Sequence, residues 1–351
     1  MPPPMPDPAA VAITVIILNW NGRQTLARTL EAVMAQTYTP LRVTVVDNAS
    51  TDGSPDLVAE RYPSVELVRL PQNLGFGRAY NQAIAAASTG LVALLNNDAY
   101  PAPGWLAVLA DALAADPRAA ACTSRVVLAG AGALQHTGGT LTYVGGAWDT
   151  AFGLPEAAEG GCAAGLVGAF SGAAALVRRE AFVRAGGFDD RFFAYLEDVD
   201  LSWTFWRMGY RVLYAPQALV HHEYGHSGGG RFAGFRIRHA ERNRIAMMVK
   251  HVDAIDLPLA VLCTLGFDLF RTVSYALRRQ WGLIGALLAG TAEGLRDLPS
   301  SLTRRRALRR IATVSNRALR QTGVLVGPWS AAREYLRLEA VGDRVAPRPS
   351  L

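Results

Sequence analysis

The sequence predicts an α/β fold: a doubly wound, mostly parallel sheet flanked by helices, followed by a helical, basic C-terminal extension. Three observations predict it. Residues 11–18 (VAITVIIL) form a continuous apolar run rich in β-branched side chains, the pattern of a strand buried on both faces. Apolar runs and segments of helical spacing then alternate as β-α-β-α-β-α-β, which is the order of a parallel sheet. Beyond residue 250 the charge balance changes: residues 251–351 carry 15 arginines and 8 acidic groups, whereas the first 250 carry 20 basic and 21 acidic groups.

Each element has a local cause. Residues 25–34 carry apolar side chains at helical spacing, and residues 41–46 form a second strand with Asp47 at its carboxyl end. Asp52-Gly53-Ser54-Pro55 caps a helix running to about residue 61. A third strand (65–70), a third helix (77–87) and a fourth strand (91–95) follow. From residue 119 to 172 the pattern is irregular and Gly-rich, with strands expected at 120–128 and 140–144. A helix is expected at 198–208 and strands at 211–214 and 218–221; after Arg236 the chain turns helical and basic. The organisation expected is a disordered leader (1–10), two halves of one domain (11–118 and 119–250) and the extension (251–351).

Composition narrows the class. Of 351 residues, 50% are hydrophobic and 18% charged, so the body of the chain can bury a core and is not disordered. Cys122, Cys162 and Cys263 are odd in number and far apart; neither a disulfide framework nor a CxxC metal site follows, and a reducing compartment fits. The Pro-rich start lacks the basic flank of a secretory signal, so a cytoplasmic protein is expected. Residues 160–177 are uncharged but hold five glycines, which favours buried strand and loop over a membrane span. The apolar runs 257–267 and 281–292 are too short to cross a bilayer alone and suit its surface.

In a doubly wound sheet, ligands bind beyond the carboxyl ends of the strands. Three polar clusters stand there: Asn19-Trp20-Asn21, Asp47-Asn48-Ala49-Ser50 and Asn96-Asn97-Asp98. They are expected to converge on one edge. No GxGxxG follows the first strand and no P-loop is present, which excludes the dinucleotide and P-loop modes of phosphate binding. A nucleotidyltransferase would bring a Gly-rich basic loop after the first strand, where LNWNGRQ offers a single glycine.

The motifs ITVIILNWNG (residues 13–22), VVDNASTDGS, NLGFGRAYNQAI, LLNND and GGFDDRFFAYLEDVDLSWTFWRMGYR occur in this order. Together, over about residues 11–250, they resemble the family 2 inverting glycosyltransferases of the GT-A fold, and most closely the rhamnosyltransferase-like subgroup of cell-surface polysaccharide assembly. The resemblance implies transfer of a sugar, rhamnose from dTDP-rhamnose first, from a nucleotide diphosphate donor to a glycan or polyprenyl-linked saccharide. Galactofuranose, N-acetylglucosamine and mannose donors stay open, as does a non-catalytic module that binds nucleotide-sugar or glycan.

Site residues follow from the matched motifs. Asp47 stands where the family places its base-binding carboxylate, with Asn19, Asn48 and Ser50 lining base and ribose; the alternative is that Asp47 and Asp52 are turn and cap residues. Asn96-Asn97-Asp98 stands where the family places its DxD metal motif, implying a divalent cation, Mg2+ or Mn2+, with Asp98 as the one charged ligand and Asn96 and Asn97 on the nucleotide, Asn96 holding ribose or a water. His222, after a predicted strand, would complete that site, with His221 and His226 as neighbours that leave the choice open. Asn73, Gly75 and Asn81 frame a turn approaching the diphosphate, and Arg78 offers charge to it or lies on a solvated helix face. Asp198 of the Glu197-Asp198 pair is the implied catalytic base. Glu197, Asp200 and Trp203 are placed on the acceptor side, Trp203 stacking on a sugar ring or belonging to the core. Gln135-His136-Thr137-Gly138-Gly139 resembles a segment of the same subgroup and carries no role that the residues themselves define.

Arg278-Arg279, Arg304-Arg305-Arg306 and Arg309-Arg310 flank apolar stretches with Trp281, Leu287 and Leu288. Such a tail suits attachment to the inner face of the cell membrane, or else a helical packing or dimerisation arm. Aromatics are not interleaved with the arginines as in a stacking platform, so nucleic acid is not expected as a partner. Oligomeric state is not encoded in any feature of the sequence.

Overall fold

A computed structural model describes residues 11–149, 151–156, 163–223, 233–327 and 330. The expected leader, together with Cys162, His226 and the end of the tail, lies outside the described residues. The first half runs β1 (Ile13–Asn19), α1 (Leu26–Met34), β2 (Leu41–Asp47), α2 (Ser54–Arg61), β3 (Glu66–Arg69), α3 (Gly75–Ala86) and β4 (Leu91–Asn96). All four strands are parallel, in the order β4-β1-β2-β3. Period-2 alternation explains why β1 carries apolar side chains on both faces: Ile13, Val15 and Ile17 join the core that holds Leu26, Leu30 and Trp105, while Ile16 joins the opposite one with Tyr80 and Ile84. Each fully buried aliphatic side chain contributes about 1.5–3 kcal/mol before chain entropy is counted.

The second half adds β5 (Ala99–Pro101), α4 (Trp105–Ala115), β6 (Ala119–Leu128), β7 (Ala133–His136), β8 (Gly139–Thr142), β9 (Gly146–Asp149), β10 (Gly165–Leu166), β11 (Ala174–Arg178), α5 (Arg179–Ala185), α6 (Glu197–Arg207) and β12 (Arg211–His222). β11 inserts antiparallel between β4 and β6, and β12 resumes parallel pairing with β6. The central, mostly parallel sheet flanked by helices is the fold class expected. Where two strands were expected around Pro216, β12 is a single strand with a register shift between Ala215 and Leu219. The irregularity absorbs a residue that has no N–H for the ladder.

The extension comprises α7 (Ala233–His251), α8 (Leu257–Leu277), α9 (Trp281–Arg296), α10 (Leu298–Ile311), α11 (Asn316–Gln321) and β13 (Leu325–Val326). It folds back on the sheet domain. β13 pairs with β8, and with β9 they form a second, three-stranded sheet. Asn316 accepts from Trp203 Nε1 (3.2 Å) and donates to the His251 carbonyl (2.8 Å).

One expectation about the tail is corrected. The apolar run that begins at 257 does not stop at 267; it continues to Leu277 as one 21-residue helix, long and apolar enough to cross a membrane by length and composition, with a mean hydropathy of 1.4 over its best window. Asp268 and Arg271 do not interrupt it because they are spent on α7. Arg244 bonds both Asp268 oxygens (3.0 and 2.8 Å), and Arg271 bonds Glu241 Oε2 (2.9 Å).

Candidate active site

Strand register brings the first two polar clusters together. Asn19, the last residue of β1, pairs with Asp47, the last of β2; Leu18 pairs with Asn96 at the end of β4. Asn19 is fully buried, and its Nδ2 reaches Asp47 Oδ1 (2.9 Å), Ser50 Oγ (3.1 Å) and Ser54 Oγ (2.8 Å). Its Oδ1 accepts from Asn97 Nδ2 (2.9 Å), which ties the third cluster to the first. Asp47 Oδ2 accepts from the Ser50 amide (3.1 Å), leaving each carboxylate oxygen one further lone pair.

Asn48 organises the approach to α3. It donates to Asn73 Oδ1 (2.9 Å) and the Gly75 carbonyl (3.1 Å) and accepts from the Leu74 amide (2.8 Å). Gly75 adopts φ +76°, and a Cβ there would sit 2.3 Å from the Phe193 carbonyl oxygen, so only glycine fits. At Gly22 a Cβ would meet the amide pair of Asn19 and Asn97 at 2.5 and 2.1 Å, so the turn after β1 requires glycine as well.

A cleft of about 500 Å³ opens beyond these strand ends. Asn48, Asn73 and Gly75 form one side of it, and Asn96, Asn97 and Asp98 its floor. Glu197, Asp198 and His222 also line it, so the residues expected on the donor and acceptor sides share one cavity. On the floor, His222 Nε2 lies 2.9 Å from Asp98 Oδ1 and 3.3 Å from Asn96 Nδ2, while its Nδ1 lies 2.7 Å from Gln135 Oε1. With the Gln135 oxygen as acceptor, Nδ1 carries the proton and Nε2 presents its lone pair beside a carboxylate, the arrangement of a metal-binding histidine. Among the described residues no group of three or more His, Cys, Asp or Glu side chains gathers for a metal ion. Two protein ligands suit a cation that takes its other oxygens from a diphosphate and water, and a mixed carboxylate–imidazole pair suits Mn2+ better than Mg2+.

Asp198 opens α6, half-buried in the cavity wall. Its Oδ2 accepts from the Gly172 amide and its Oδ1 from the Val199 amide, both at 2.8 Å. Burial raises its carboxyl above the ordinary value; the two amides and the charge of His136 offset part of that rise. His136 is itself hydrogen-bonded through Nδ1 to Asp149. The two residues before α6 are strained: Tyr195 and Leu196 have φ +71° and +69°. Asn243 Nδ2 holds that turn from α7, donating to the carbonyls of Ala194 (3.0 Å) and Tyr195 (2.8 Å).

Seven expected site residues do not line the cleft: Asn19 and Asp47, which sit buried behind its wall, and Ser50, Arg78, Asn81, Asp200 and Trp203. Asp200 is buried among Lys250 (2.6 Å) and His251 (2.8 Å), which hold its carboxyl well below the usual range despite burial; burial pulls His251 down to about 4. Trp203 is fully buried, stacked on His251 with ring centroids 4.7 Å apart, so it is core and not a sugar platform. Asn81 pins a loop, bonding the Phe188 carbonyl (2.9 Å) and Asp190 (2.7 Å), and Arg78 is exposed on α3. Ser50 is likewise outside the cleft wall and braces the Asn21 amide (2.9 Å). Conversely, Gln135, Ser171, Gly172 and Arg236 line the cleft, and of these only Gln135 belongs to a segment that stands out in the sequence.

This sheet, with its cleft at the carboxyl edge, has the GT-A architecture. The family model Glycosyl transferase family 2 matches residues 14–185. An N-acetylglucosaminyl-diphospho-decaprenol L-rhamnosyltransferase of Mycobacterium tuberculosis is 33% identical over 263 residues, covering 68% of this chain and 85% of that protein. A pre-mycofactocin glycosyltransferase of the same organism is 30% identical over 225 residues, 64% of this chain and 45% of that one. Among solved structures, a mannosyltransferase of Pyrobaculum calidifontis in complex with GDP-Man and Mn2+ superposes with a TM-score of 0.52 at 22% identity, covering 88% of both chains. GalNAc-T7 with UDP, GalNAc and Mn2+ gives 0.55 at 17% identity, covering 70% of this chain and 48% of that one. The chain belongs to glycosyl transferase family 2.

Proposed function

We propose that this chain is an inverting, metal-dependent transferase that moves rhamnose from dTDP-rhamnose to a lipid-linked saccharide in cell-surface glycan synthesis. The supporting observation is that Asp98 with His222, and Asp198, line one cleft at the carboxyl edge of the sheet. The 33% identical relative is by name a rhamnosyltransferase acting on an N-acetylglucosaminyl-diphospho-decaprenol, which supports both donor sugar and acceptor class.

In this reading Asp47 accepts the N3–H of the pyrimidine through its remaining lone pairs, and Asn19 and Ser50 fix its orientation. Asn48 holds the Asn73–Gly75 turn, whose bare backbone lets a diphosphate come close. Asp98 and His222 would hold the divalent cation, which supplies charge neutralisation to the departing diphosphate. Asp198 takes the proton of the acceptor hydroxyl while that oxygen bonds to the anomeric carbon and the bond to the diphosphate oxygen breaks, inverting the centre. Nucleoside diphosphate leaves, and the proton stays on Asp198 until solvent removes it.

The test is a thermal-shift panel of nucleotide sugars with and without Mn2+. At 100 times its dissociation constant a ligand stabilises the protein by about 2.7 kcal/mol. dTDP-rhamnose is expected to give the largest shift, dependent on Mn2+, and Asp98→Asn to abolish the Mn2+-dependent part. A shift identical with and without Mn2+ in wild type would remove the metal assignment.

The extension supplies the membrane half of the proposal. On α8 the apolar side chains Leu262, Leu265, Leu269 and Leu277 point outward, each more than 60% exposed, and Trp281 continues the strip on α9. Arg278 and Arg279 stand exposed between the two helices. Apolar side chains beside arginine suit the headgroup boundary of an anionic membrane. Leu265 and Leu269, both to Glu, are expected to lose flotation with phosphatidylglycerol vesicles that wild type shows at low salt. A wild type that ignores the vesicles and instead doubles its mass in light scattering would make the strip a dimer interface.

A further inference from the structure

Glu197 lines the cleft and has no task in the mechanism above. Its side chain is 6% exposed and lines the cavity, and its Oε2 has no hydrogen-bond partner among the described residues. The same helical turn carries Asp198 and Asp200, and the neighbouring donors serve Asp200: the Lys250 ammonium and the His251 ring both bond it. Tyr80 lies within electrostatic range from α3, but its hydroxyl is committed to the Leu95 backbone. Asp198 is satisfied by two amides. No described cation is paired with Glu197.

A buried carboxylate in that position is costly as an anion, and the least expensive remedy is a proton. We infer that Glu197 is held as a neutral carboxylic acid and donates a hydrogen bond to a sugar hydroxyl in the cleft. Burial first, then the charges of Asp198 and Asp200, push its carboxyl well above the ordinary range, in the direction this requires. Two adjacent carboxyls then divide the work: Asp198, with two amide donors, is the one that ionises and accepts a proton, and Glu197, with none from a neighbouring residue, stays a donor. A hydroxyl is the matching ligand because the acid can give one hydrogen bond and receive another from the same group. The diphosphate belongs to the opposite side, with Asp98 and His222.

The inference rests on the glycosyltransferase reading for its ligand but not for its protonation state, and two measurements separate them. In infrared difference spectra of the whole chain at pH 7, with Mn2+ and dTDP present, wild type minus Glu197→Gln should show the carbonyl stretch of a protonated carboxyl. Only a carboxylate band in that difference overturns the inference, whatever the enzyme transfers. In transfer assays Glu197→Ala is expected to lower kcat/KM by about tenfold, the loss of one hydrogen bond, and Glu197→Gln, which keeps a donor and an acceptor, to recover most of that loss. A Gln variant as impaired as Ala, or more, overturns the neutral donor in favour of a working anion. Failure of the glycosyltransferase reading would look different: no transfer by wild type, with the infrared band intact.

Discussion

Asp198→Asn is expected to lower the transfer rate by about 10²–10⁴-fold, the contribution of a positioned general base, with binding of dTDP and Mn2+ nearly unchanged. The asparagine has a single acceptor oxygen, so it keeps one of the two amide contacts, from Gly172 or from Val199, and loses the other, while the proton acceptor is gone. Transfer assays paired with calorimetric titration of dTDP separate the two effects. Retained turnover takes Asp198 out of the mechanism. The pH profile gives a second check. A base works only unprotonated, and burial raises this carboxyl above its usual value; activity is therefore expected to fall with decreasing pH at a point above the ordinary aspartate value of about 3.9, and to be full on the alkaline side of it.

Arg244→Met is expected to destabilise the fold by about 3–5 kcal/mol, because it removes one partner of a buried charge cluster. Arg244 bonds Glu241 and Asp268, and it also caps the Val144 carbonyl and Thr264 Oγ1, each at 3.2 Å. The Glu241 side chain is fully buried, and Arg271 alone would be left to it. Urea denaturation of the single variant against Arg244→Met combined with Asp268→Leu measures the effect. The double change is expected to be milder, since it leaves fewer uncompensated charges. A single-variant loss below 1 kcal/mol would mean that solvent reaches the cluster and screens it.

Much of the sheet half was legible because β1 and β4 announce themselves by long apolar runs and the ends of β1, β2 and β4 by polar clusters. Register, which the sequence pattern alone does not show, then joined Asn19 to Asp47 and Leu18 to Asn96 as the carboxyl-edge rule requires. The misplacements have helical geometry as their cause. Asp198, Asp200 and Trp203 belong to one short acidic-aromatic segment, but at 3.6 residues per turn they leave α6 in different directions. Only the first faces the cleft, while the other two meet Lys250, His251 and Asn316. Gln135 could not be assigned because its partner, His222, is 87 positions away. The length of α8 was misjudged for a related reason: Asp268 and Arg271 read as a boundary until α7 supplied their counter-charges.

The amide clamp of Asn243 on the Ala194–Tyr195 carbonyls bears on how this enzyme can be recombined with its relatives. Two consecutive non-glycine residues in left-handed geometry carry about 1–3 kcal/mol each, a debt that one side chain nearly fifty positions downstream helps to discharge. Any chimera whose crossover falls between residue 196 and residue 243 would inherit the contorted turn from one parent and its restraint from the other. The interval from the turn to α7 therefore travels as a single heritable block, and specificity swaps are best spliced outside it.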